Sequence, residues 1–109
     1  MSNSFQLIEQ NELAYSAQCK KTSRLQMSFG NVSLMMTPKE FTLLKKHVQD
    51  TLINIKDIRC PYCRDIFIKT SVTNMSFQFS YDELCLMHDI MVNTLTLLEV
   101  HSIIDNNAS

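Results

Sequence analysis

The feature that most constrains this 109-residue sequence is a gapless match of the chain to itself at a spacing of 43. Leu25–Leu52 reads LQMSFGNVSLMMTPKEFTLLKKHVQDTL, and Ile68–Leu95 reads IKTSVTNMSFQFSYDELCLMHDIMVNTL. Seven of the 28 positions are identical: Ser28/Ser71, Asn31/Asn74, Ser33/Ser76, Glu40/Glu83, Leu43/Leu86, Thr51/Thr94 and Leu52/Leu95. Chance pairing at average residue frequencies gives about two. A repeat of this length is one supersecondary unit used twice.

The unit can be read from its periodicity. Leu25, Met27 and Phe29 alternate with Gln26 and Ser28, and Val32, Leu34 and Met36 alternate with Ser33 and Met35. A period of two predicts two strands, joined by a Gly30-Asn31 turn in which glycine takes the positive φ of a tight hairpin. In the second copy Ile66, Ile68 and Thr70 precede a Thr73-Asn74 turn, and Met75, Phe77 and Phe79 follow it. Threonine accepts positive φ poorly, so this turn should be looser. Thr37-Pro-Lys-Glu40 and Ser80-Tyr-Asp-Glu83 then read as capping boxes, each starting a helix. The first helix is expected over about Pro38–Leu52, with Phe41, Leu44, Val48 and Leu52 on its core face. The second is expected from Tyr81 to near Val100, with Leu84, Met87, Met91, Leu95 and Leu98 on its stripe. Leu86, Ile90, Val92 and Leu97 lie outside that stripe, and so broad an apolar surface points either to deep burial or to a homodimer through the second helix.

Upstream, Phe5–Glu9 and Glu12–Ala17 read as two further strands about a Gln10-Asn11 turn, and Ile53–Ile58 occupies the equivalent place before the second hairpin. The expected fold class is therefore α+β: a tandem duplication of a strand–turn–strand–helix unit, as an antiparallel sheet with two helices on one face. Repeat one spans about 12–52 and repeat two about 53–100 of a single domain, and 101–109 form a tail. With both hairpins in one sheet, the open face presents Gln26, Ser28, Ser33, Lys69, Ser71, Ser76 and Gln78, with Met35 and Phe67 as apolar intruders. A polar, serine-rich face is that of a solvated sheet, the alternative being a face that binds something flat.

Ten basic and eleven acidic residues give a net charge of −1, without the basic footprint of a nucleic-acid binder. Lys20, Lys21 and Arg24, and Lys45, Lys46 and His47, read as solvated surface. No apolar run approaches the length of a membrane span, and the first residues show neither the basic nor the apolar region of a leader. The expected compartment is the cytoplasm, where four cysteines are reduced thiols rather than a disulfide framework.

Cys60-Pro-Tyr-Cys63 is the one motif with chemistry in its spacing. Two thiolates so placed form half of a zinc knuckle, which needs further ligands. Cys19 is the next candidate, while Cys85 falls on the second helix beside Leu84, and nothing in the spacing brings His47, His88 or His101 near. A redox Cys-x-x-Cys has its thiolate activated at a helix N-terminus. This one precedes a predicted strand, so the expectation is two ordinary thiols and no cofactor. No glycine-rich phosphate loop, G-x-S-x-G elbow or H-E-x-x-H helix occurs. Glu40 and Glu83 are explained by their capping boxes, leaving no candidate catalytic residue.

The Phe29-Gly30-Asn31 turn, the Leu34 strand, the Glu40-Phe41 helix start, and the segments Arg64–Thr70 and Phe79–Leu84 resemble an uncharacterised domain-of-unknown-function family of small bacterial proteins. The resemblance covers about residues 12–99. It implies a Cys-x-x-Cys ahead of the Phe-Gly-Asn turn; here Cys19 matches the first position and Thr22 replaces the second cysteine. It implies no activity, substrate or partner. The reading is a small non-enzymatic interaction or structural module, the alternative being a small zinc-binding protein that uses Cys60, Cys63 and Cys19.

Overall fold

The computed structural model describes residues 5–55, 60–70 and 73–107. In chain order these form β1 (Phe5–Gln10), β2 (Ala14–Cys19), β3 (Leu25–Phe29), β4 (Val32–Met36), α1 (Pro38–Asn54), β5 (Ile66–Lys69), β6 (Ser76–Phe79) and α2 (Tyr81–Asn107). The fold is α+β, with an antiparallel meander β1-β2-β3-β4 and a separate two-stranded sheet β5-β6.

The hairpins do not share one sheet as the simplest packing has it. The Phe29–Val32 pair closes the first hairpin around Gly30 and Asn31. Gly30 has φ +57°, and Asn31 is not among the residues with positive φ, which is the pattern of a II′ turn. In the second hairpin pairing stops at Lys69–Ser76. The looser connection expected there contains Asn74 at φ 65° and is closed by Thr70, whose backbone N–H and hydroxyl both donate to the Met75 carbonyl, at 3.3 and 2.9 Å. The third strand expected at 53–58 is not formed where it can be seen. Ile53 and Asn54 continue α1, whose C-cap is Ile55, and the rest of that segment lies outside the described residues.

Both helices start at the predicted capping boxes. The Thr37 hydroxyl accepts from Glu40 N–H at 3.2 Å while the Glu40 carboxylate accepts from Thr37 N–H at 2.9 Å, and Ser80 and Glu83 repeat the exchange at 3.1 and 2.9 Å. Each box satisfies backbone donors that have no partner within the helix. α2 continues past the expected end near Val100 to Asn107, through the first part of the segment read as a tail.

The core lies between the meander and the helices. Leu25, Met27, Phe41, Ile68, Leu84, Ile90 and Met91 are all at most 1% exposed, and each such side chain is worth roughly 1.5–3 kcal/mol of burial. Phe29, Phe77 and Phe79 form a ring trio with centroids 5.4–6.2 Å apart, which joins the second hairpin to the end of β3. Ile90, read as outside the core stripe, is buried, and Leu86, Val92 and Leu97 are half-buried. The broad apolar surface of α2 is thus taken up largely within the chain.

Two polar links fix α2 along β2. Asn11 shapes the β1–β2 turn by accepting from the Leu13 and Ala14 amides through Oδ1, and its Nδ2 donates to the Leu86 carbonyl, all at 2.9 Å. Farther along, fully buried Ser16 and Thr94 place their hydroxyls 2.6 Å apart, and Thr94 donates to the Ile90 carbonyl at 2.6 Å. A hydroxyl has one proton, so Ser16 must donate to Thr94. The order of these contacts means that α2 runs in the same direction as β2. Beyond Ser16 only about 10 Å of β2 remains, whereas about 20 Å of helix follows Thr94. The last turns of α2 therefore stand past the end of the strand.

The donor order has a thermodynamic consequence. Thr94→Val strips the buried Ser16 hydroxyl of its acceptor and is expected to cost about 1–3 kcal/mol, whereas Ser16→Ala leaves Thr94 bonded to Ile90 and should cost about 1 kcal/mol. The double variant should cost less than the sum of the two. Urea denaturation of the three variants tests this, and equal, additive single costs would contradict the donor order.

Candidate functional site

Chemistry in this chain centres on the turn that precedes β5. Cys60 and Cys63 are joined by a disulfide, with Cα atoms 5.4 Å apart. This corrects the expectation of two reduced thiols. A turn with two intervening residues brings the Cα atoms into the 4.4–6.8 Å span that a disulfide requires. The Cys63 amide donates to the Cys60 carbonyl at 3.3 Å, and the Asp65 amide to the Cys63 carbonyl at 2.9 Å, so backbone bonds also hold the turn. Cys60 is half-buried, Cys63 is exposed, and Tyr62 between them is 80% exposed.

The surroundings of this turn correct a second expectation. In sequence the motif leads into a strand, with no helix to act on it. In space it lies against the first turn of α2, where the Asp82 amide donates to the Pro61 carbonyl at 3.2 Å. Arg64, next to Cys63, grips Glu83 of the same helical turn through Nε at 3.0 and 3.2 Å and Nη2 at 2.8 Å. Glu83 thus serves twice, as the return arm of the capping box and as the anchor for the cysteine turn. Sequence reasoning assigned only the first role, since nothing in a spacing of nineteen residues announces the second.

The other candidates are placed elsewhere. Cys19 closes β2, where Ser23, at φ 61°, donates its amide to the Cys19 carbonyl at 2.8 Å. The Thr22 hydroxyl, then the amides of Thr22 and Lys21, hold the Cys19 thiol below its ordinary range. Thr22 occupies the position where the resemblance implies a second cysteine. Cys85 is a free, half-buried thiol on α2. His47 and His101 are exposed, and the buried Nε2 of His88 has no hydrogen-bond partner among the described residues. Among the described residues no three His, Cys, Asp or Glu side chains gather as metal ligands, so Cys19 is not brought to Cys60 and Cys63.

The exposed apolar side chains among the described residues include three groups. Residues opposite each other across strands share a face, so Leu7, Ala17, Gln26 and Met35 form one row on the outer side of the meander. Leu7 (56%) and Met35 (46%) are its exposed members. The polar part of that face is organised by Gln26, whose Nε2 lies 2.8 Å from Ser33 Oγ and 3.4 Å from Ser28 Oγ. Ser71, also expected on the open face, lies outside the described residues. A groove of about 510 Å³ separates β4 and α1 from the second hairpin, lined by Leu34, Met36, Leu43, Met75 and Phe77 among others. Finally, Val100, Ile103 and Ile104 lie exposed on the last turns of α2. Among the described residues no helix is long and apolar enough to cross a membrane.

The grip of Arg64, with the Ser80 cap, holds the Glu83 carboxyl below its ordinary value of 4.5. Thr37 does the same for Glu40 at the other helix. A depressed carboxyl stabilises the fold above its unfolded value, and that contribution is lost as pH falls through the folded value. Stability to urea should therefore decline as the pH drops below about 4.5, and Glu83→Gln should flatten part of that decline, leaving the share due to Glu40. An unchanged slope in Glu83→Gln would show that the pair has no stabilising role.

Comparison with curated proteins and with solved structures gave no match. A family model does match, over residues 1–107, and it carries the description "Family of unknown function (DUF6686)". That span includes both hairpins, both helices and the Cys60–Cys63 turn. The chain belongs to this family of unknown function.

Proposed function

We propose that the chain is a non-enzymatic interaction module that works as a homodimer, a second copy covering the last turns of α2. The observation that carries this reading is the exposure of Val100 (42%), Ile103 (54%) and Ile104 (56%). Their spacing puts them on one side of the helix, on the segment that runs past the end of β2. Burial within the chain accounts for the apolar residues earlier in α2, whereas these three stay about half exposed among the described residues.

A second copy supplies it simply. In a two-fold dimer the same patch serves both partners, and six β-branched side chains lose their remaining exposure at one crossing, each adding up to about half of the roughly 1.5–3 kcal/mol of full burial. The two hairpin–helix units, each with its own capping box, support descent from a duplicated unit. On this reading the second copy of the unit acquired the longer helix and with it the contact surface.

The test is the mass in solution. Light scattering at roughly tens of micromolar, where an interface of this kind is populated, should give twice the chain mass of 12.6 kDa. The double variant Ile103→Lys/Ile104→Lys should give the single-chain mass with an unchanged circular dichroism spectrum. A single-chain mass for the unmodified protein rules the dimer out.

A further inference from the structure

We propose that Cys60 and Cys63 form a thiol–disulfide exchange site, with Cys63 as the sulfur that is attacked and Cys60 as the one that leaves. The proposal is independent of the dimer. Four observations support it.

The cross-link spans three positions in sequence, the short end of the loop-closure scale, so it restrains the unfolded chain little and is a poor staple. The turn is held without it, by the Cys63–Cys60 and Asp65–Cys63 backbone bonds, the Asp82–Pro61 bond and the Arg64–Glu83 pair. Both redox states can therefore occupy one fold. The two cysteines differ in access: Cys63 is exposed beside the projecting Tyr62, while Cys60 is half-buried. Lastly, Cys60 adjoins Pro61, whose carbonyl rests on the first turn of a 27-residue helix. The positive end of that helix favours a thiolate leaving from Cys60, and a stabilised leaving thiolate speeds exchange.

The co-reactant is a thiol. Its thiolate attacks Cys63 Sγ, the Cys60–Cys63 bond breaks, and Cys60 leaves as a thiolate that takes up a proton. A second thiolate then attacks the incoming sulfur of the mixed disulfide, releasing Cys63 as a thiolate, which is protonated in turn. In sum, the protein disulfide and two thiols become the protein dithiol and one disulfide of the co-reactant. Two electrons pass to the chain, and the reverse sequence returns them.

The experiment equilibrates the full chain in mixtures of reduced and oxidised glutathione, traps free thiols by alkylation, and locates them by mass spectrometry. Cys60 and Cys63 are expected to convert together and reversibly between disulfide and dithiol within the buffer range, with the same circular dichroism spectrum at both ends. Peptide mapping of the partly reduced unmodified chain should find glutathione on Cys63. With glutathione disulfide, Cys60→Ser should become modified at Cys63 at least about tenfold faster than Cys63→Ser at Cys60. A pair that stays in one state across all buffers overturns the proposal. So does glutathione found mainly on Cys60, or a dithiol form that retains zinc on these cysteines and does not re-oxidise.

Discussion

Helix α2 is the common partner of elements that otherwise have little to do with one another. It packs against α1, β1, β2 and β6, and Leu84, Met87, Ile90 and Met91 on it are almost fully buried. The two sheets share no hydrogen-bonded ladder, so they are held together through this helix and the three phenylalanine rings at the end of β3. Burial alone would let the helix slide or rotate along the meander. The Asn11–Leu86 and Ser16–Thr94–Ile90 bonds remove that freedom. Buried polar groups must be paired, so they specify one register where apolar packing accepts several.

Much of this architecture was legible in the residues, because the signals involved are local. The alternation of Leu25, Met27 and Phe29 against Gln26 and Ser28 is a property of five consecutive residues, and the structure buries the first three. Thr37-x-x-Glu40 and Ser80-x-x-Glu83 start their helices because a capping box needs nothing beyond four residues. What escaped the sequence is what depends on distant partners. β5 and β6 have alternation but only four residues each, and nothing in them says whether they join the meander or pair alone. The exposed row on the outer face includes Leu7 because of the β1–β2 register, in which a bulge lies between Leu7 and Glu9.

The cysteine turn shows the same limit more sharply. Reading along the chain, Cys60-Pro-Tyr-Cys63 is followed by a strand, and the adjoining sequence offers no helix to act on it. The helix is supplied from residue 81 onward, after the second hairpin has turned the chain back on itself. One backbone bond, from Asp82 to Pro61, and one ion pair, from Arg64 to Glu83, decide the electrostatic setting of the motif. Neither leaves a mark in spacing or composition.

The separateness of the second hairpin has a consequence for how the molecule breathes. An isolated two-stranded sheet is marginal in water, so β5-β6 owes its order to what it leans on: Ile68 and Phe79 in the core, the ring trio, and the clasp between the cysteine turn and α2. None of these is a ladder bond to the meander. The hairpin can therefore detach as one cooperative piece while the four-stranded sheet and the helix pair stay folded, at a free energy below that of global unfolding. In such a partly open state Phe29 would lose the cover of Phe77 and Phe79 and meet water, and the piece that opens would be the one directly joined to the cysteine turn.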